Sequence, residues 1–131
     1  MSERVTVKLP GDPEYVGLAR VIAAEVAAHA GLDHEAIDEL KIVVSEACTY
    51  LIRRQIPESS GYTMEMGSGE EGMVVTVEDR LAHPGAKEPL AEDENFGLDL
   101  MRGLTDEFAI ASSKDGHTRI RFARRPDGGR P

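Results

Sequence analysis

Apolar and polar positions alternate at the start of the chain. Val5, Val7 and Leu9 are separated by Thr6 and Lys8, which predicts a short strand with one buried face. Pro10-Gly11-Asp12-Pro13 breaks that pattern, and Asp12 before Pro13 suits an N-cap followed by a first-turn proline. From Glu14 to Ala30 the period lengthens: Tyr15, Leu18, Ile22, Val26 and Ala30 form a stripe at helical spacing, ended by Gly31. Asp33 caps a second helix whose stripe is Ile37, Leu40, Val43 or Val44, Ala47, Cys48 and Leu51. This helix is expected to reach about Arg54, with Pro57 marking its end.

The middle of the chain returns to a period of two. Gly61 to Met66 and Met73 to Glu78 read as a hairpin around Gly67-Ser68-Gly69. Residues 80–94 have no clear period and carry Pro84, Gly85 and Pro89, so a loop is expected. Asn95 is a candidate cap for a short helix through Leu104, with Leu98, Met101 and Leu104 on one side. Phe108 to Ala111 and His117 to Phe122 predict a second hairpin around Lys114-Asp115-Gly116. The order strand, two helices, hairpin, loop, helix, hairpin predicts an α+β two-layer sandwich. Its sheet is mixed but mostly antiparallel, with the helices on one face. One domain over residues 1–123 is expected, followed by a polar, disordered tail over 124–131.

Composition narrows the function. At 131 residues the chain fits one domain, which buries roughly two-thirds of its unfolded surface. Twenty-four acids against 15 Lys plus Arg give a formal charge of −9, a poor basis for binding nucleic acid phosphates directly. Acidity favours steering toward basic partners instead. Cys48, the lone cysteine, lies in an apolar run and reads as a structural thiol in a reducing compartment. No apolar run approaches a membrane span or a signal peptide, so a cytoplasmic protein without a membrane partner is expected. The four histidines lack metal-ligand spacing, so no histidine metal site is predicted.

The segment IVVSEACTYLIRR, residues 42–54, resembles the second helix of the bacterial anti-sigma factors that double as serine kinases, within the histidine-kinase-like ATPase superfamily. Further stretches follow in the family's order, from about residue 4 to 123: VTVEDRL at 75–81, NFGLDLMRGLTDEF at 95–108, and His117-Thr118, with LARVIAAEV in the first helix. The resemblance implies that fold and assigns roles. Glu46 corresponds to the general base, Asp79 to the acceptor for the adenine amino group, and Gly97 to the helix start behind the phosphates. Thr118 falls near the adenine pocket, and Arg20 falls where the family grips its protein partners. Those types suit that chemistry. A carboxylate selects the purine amino donor, glycine lets a backbone N–H approach phosphate, and a carboxylate takes a proton from an attacking serine.

The chain departs from the pattern at several positions. The family's magnesium-binding Asn is Tyr50, and the glycine two residues after the adenine aspartate is Leu81. Asn95 and His117 replace two further glycines. Only 17 residues separate Asp79 from Gly97, among them Glu88, Glu92, Asp93 and Glu94 against Arg80 and Lys87. Like charges crowd a triphosphate there, at about 1 kcal/mol per close pair in water. Without the family, Glu46 reads as a boundary residue paired with Arg53 or Arg54, Asp79 as a turn former, Gly97 as an ordinary helix start and Arg20 as a solvated charge. The resemblance implies an anti-sigma factor that sequesters an RNA polymerase sigma factor and yields it to an anti-anti-sigma partner, with an impaired site for ATP or ADP and Mg. Homodimerisation follows from the same resemblance. The alternative is an active Mg-ATP-dependent serine kinase acting on the anti-anti-sigma factor.

Overall fold

The computed structural model describes residues 4–55, 60–70, 72–82 and 93–126. Five strands form one sheet: β1 (Arg4–Leu9), β2 (Tyr62–Gly69), β3 (Gly72–Asp79), β4 (Glu107–Ser112) and β5 (Thr118–Arg124). Their order is β1-β2-β3-β5-β4, and every neighbouring pair is antiparallel. Three α-helices, α1 (Val16–His29), α2 (His34–Arg54) and α3 (Asp93–Gly103), complete the α+β sandwich. The side chains of Tyr62, Met64, Met66, Met73, Val75, Val77, Ile120 and Phe122 fill the core with those of α1 and α2. No helix among the described residues is long and apolar enough to cross a membrane.

Two of the expected caps form. Asp12 accepts from the Glu14 N–H ahead of a 3₁₀ turn at Pro13–Tyr15, and Asp33 accepts from the Ala36 N–H at 3.1 Å. Gly31 takes φ +89°, the left-handed conformation that releases the chain from α1. On α1 the buried face differs from the expected stripe. Val16, Ala19, Ala23 and Ala27 point inward, while Tyr15 is 41% and Leu18 46% exposed. The helix is apolar nearly all round, so several stripes fit its sequence. Burying the alanine face lets α1 lie close on α2.

Three boundaries also move. β2 runs through the expected turn, staying paired with β3 to Gly69↔Gly72, because the glycines there leave no side-chain alternation to read. α3 starts at Asp93, two residues before Asn95, so that residue does not cap it. β5 extends to Arg124, one residue past the expected domain limit. Arg124 is fully buried and ion-pairs with Glu39 of α2, with Asp106 at 3.9 Å, which anchors the last strand to the helical layer. Of the loop expected over 80–94, Asp93 and Glu94 belong to α3 instead, and residues 83–92, like the tail from residue 127, lie outside the described residues.

Candidate functional site

α2 joins two polar clusters. At its C-terminal end the backbone turns extended at Gln55 (ψ 136°), and this side chain folds inward, only 4% exposed. Its Nε2 donates to the Gly61 carbonyl at 2.7 Å and to Asp79 Oδ1 at 3.1 Å, while its Oε1 accepts from the Gly61 N–H at 3.3 Å. Asp79 ends β3, and its Oδ2 accepts from the Thr118 N–H at 2.9 Å. The Thr118 hydroxyl pairs with that of Ser112 across the β4–β5 ladder at 2.9 Å. Asp79 and Thr118, 39 positions apart, thus meet at one end of the sheet.

Gly61 makes this junction possible. Its φ is +83°, and a Cβ there would stand 2.5 Å from the Leu9 carbonyl oxygen. A residue with a side chain at this position therefore suffers both backbone strain and a clash with immovable main chain. Gln55 was not legible as a site residue. It follows two arginines at a helix end, where sequence predicts exposure, and burial of its amide depends on β2 and β3 closing over it.

The second cluster lies nearer the α2 N-terminus, in a groove of about 490 Å³ between α1 and α2. Arg20, Asp38, Lys41, Ile42, Ser45 and Glu46 line it. Arg20 Nη1 donates to Ser45 Oγ at 3.3 Å, and that hydroxyl donates to the Lys41 carbonyl at 3.0 Å. Ile42 is 44% exposed in the groove, and α1 also exposes Leu18 and, at 65%, Val21. Isolated exposed apolar residues are ordinary, but Ile42 shares this groove with the Arg20 guanidinium. Glu46 is the hinge between groove and helix α3. A Cβ on Gly97 would come within 2.8 Å of Glu46 Oε1, so the carboxylate rests directly on the α3 backbone. Glu46 and Gly97 are brought together, and Arg20 shares the groove with Glu46.

Tyr50, one turn beyond Glu46, is 8% exposed and packed into the core, with the Arg54 guanidinium 5.3 Å from its ring centroid. Cys48 on the same helix is fully buried, and desolvation pushes its thiol up to about 12, which makes it the inert structural residue expected. His117 lies 3.4 Å from the Glu78 carboxylate, and Gly116 at φ +87° supplies the turn before it.

Residues 9–124 match the histidine kinase-like ATPase domain family. The serine-protein kinase RsbW of Bacillus velezensis is 36% identical over 125 residues, covering 83% of this chain and 78% of that protein. The RsbW of Listeria innocua is 38% identical over 81 residues, covering 60% of this chain; the match spans about half, 52%, of that relative. A crystal structure of the RsbU and RsbW domains of a Mycobacterium tuberculosis protein superposes with a TM-score of 0.73 over 94% of this chain and 32% of that one, at 20% identity, which shows the shared fold. With residues 9–124 matched and an RsbW relative 36% identical over most of both chains, the chain belongs to the histidine kinase-like ATPase domain family and groups with the RsbW proteins.

Proposed function

We propose that this chain is an anti-sigma factor of a partner-switching pathway, acting in the cytoplasm, and that its α1–α2 groove is the surface contested by the two partners. A sigma factor occupies the groove until an anti-anti-sigma protein displaces it. The supporting observation is that Arg20, Glu46 and the exposed Ile42 line one groove. A partner that pairs an acidic side chain with Arg20 and buries Ile42 would cover Glu46 as well. Mutual exclusion of two partners then needs only differential affinity for one surface.

The two halves of the ancestral nucleotide site fare differently in this reading. Asp79, Thr118 and Gln55 fit a purine amino group, since a nearly buried carboxylate is held in place as an acceptor. The metal half does not fit. At the position of the family's asparagine, Tyr50 offers a phenol packed under Arg54, a poor oxygen donor for a small hard cation. Adenine nucleotide binding without phosphate transfer is the consequence, and homodimerisation is carried over from the resembled family.

The test is competition binding. Purified protein should capture its sigma factor, and Arg20→Ala should weaken capture about tenfold or more while leaving the melting temperature unchanged. Full-strength binding by Arg20→Ala, or no sigma factor bound at all, would end the proposal. The Glu46–Gly97 contact favours a second reading, an active serine kinase. That reading requires transfer of phosphate from Mg-ATP to the anti-anti-sigma protein, lost in Glu46→Ala.

A further inference from the structure

We infer that Gln55 is a positioning residue that sets base selection, by holding Asp79 so that its carboxylate meets an exocyclic amino group rather than a carbonyl. This rests on the adenine pocket proposed above and adds to it a residue from a different element, the end of α2.

The orientation of the Gln55 amide follows from its surroundings. Two acceptors, the Gly61 carbonyl and Asp79 Oδ1, lie 2.7 and 3.1 Å from Nε2, and one donor, the Gly61 N–H, lies 3.3 Å from Oε1. A flipped amide would set oxygen against two oxygens and NH₂ against N–H. All three partners therefore vote for one orientation. Thr118 N–H holds the other carboxylate oxygen at 2.9 Å. Donors thus hold Asp79 on both oxygens, one from a buried side chain and one from main chain. The carboxylate cannot rotate about its last bond without breaking at least one of them.

That constraint matters for selectivity. Asp79 is 4% exposed, so a ligand meets a small part of it, in one orientation. Each carboxylate oxygen keeps a lone pair after accepting one hydrogen bond. What faces a ligand is acceptor alone, which welcomes a 6-aminopurine and opposes the carbonyl oxygen of a 6-oxopurine. A site built to receive a donor rejects an analogue lacking it because its own polar group is left unpaired. Without Gln55, the carboxylate is restrained on one oxygen only. It is then free to turn, and its freed Oδ1 takes water.

The experiment is equilibrium binding of ADP and GDP, in the absence of divalent metal, to wild type, Gln55→Met and Gln55→Glu, with melting temperatures alongside. Methionine keeps the shape and removes the donor; glutamate places a second carboxylate against Asp79. Wild type should prefer ADP. Gln55→Met should lose about tenfold in ADP affinity, with GDP affinity unchanged, and Gln55→Glu should lose at least as much. A purely structural role would lower the melting temperature and weaken both nucleotides together, leaving their ratio intact. An ADP-to-GDP ratio in Gln55→Met within twofold of wild type overturns the inference while the adenine pocket stands. A wild type that binds ADP no better than GDP overturns the pocket itself, and this inference with it.

Discussion

The C-terminal end and the middle of α2 are built on opposite principles. At Gln55 every polar group described is buried and answered: amide to carbonyl, amide to carboxylate, main-chain N–H to carboxylate. At Arg20 and Glu46 the groups stand at an open groove, and one 3.3 Å bond ties the guanidinium to Ser45. Fixed donors and acceptors suit a small rigid ligand, whose recognition depends on precise placement. Long charged side chains beside exposed Ile42 suit a protein surface, which the groove can adjust to meet. One helix therefore carries a preorganised end and an adaptable middle. Nine residues separate Glu46 from Gln55, roughly 14 Å at 1.5 Å each.

Mutations should break this contrast unequally. The largest effect belongs to Gly61→Ala, where a Cβ would meet the Leu9 carbonyl at 2.5 Å in a left-handed backbone. It should cost roughly 3 kcal/mol in urea unfolding; a loss below about 1 kcal/mol would mean the junction is softer than it looks. Next comes the pair Asp79→Asn and Glu46→Gln, the same chemical change at the two sites. The first sets an NH₂ against either Gln55 Nε2 or the Thr118 N–H and should cost about 2 kcal/mol. The second, at the groove, should stay within about 0.5 kcal/mol of wild type. Equal losses would erase the distinction between buried and open sites.

Gly97→Ala sharpens the comparison further. The new methyl meets Glu46 Oε1, the far end of a flexible side chain, so the carboxylate moves and the fold does not. Stability should hold or rise by up to about 1 kcal/mol through helix propensity, while the Glu46 carboxyl resonance shifts in NMR spectra. Smallest is the alkaline response of the helix between the two sites. The Cys48 thiol is raised from 9.0 to about 12 by burial, and Tyr62 is raised in the same direction, chiefly by desolvation. The unfolded chain therefore releases these protons at lower pH than the folded one. Their contribution is complete below about 9 and is lost as pH climbs toward 12. Cys48→Ala should flatten the fall in melting temperature between pH 9 and 11, and native Cys48 should resist alkylation at pH 8 until the chain unfolds.

The order of elements, the Asp12 and Asp33 caps and both hairpins were legible in the sequence, because periodicity, those two aspartates and the turn glycines act over a few residues. The order of motifs disclosed the family, and through that resemblance Asp79, Thr118, Glu46, Gly97 and Arg20 became candidates. Only the tertiary structure decided which face of the nearly all-apolar α1 is buried, that β2 continues through its glycines, and that Gln55 turns inward to meet Asp79 from 24 positions away. Local pattern reports what a residue prefers where nothing else intervenes. Burial of a polar side chain depends on distant partners arriving to satisfy it, and that is settled only when the sheet and helices close together.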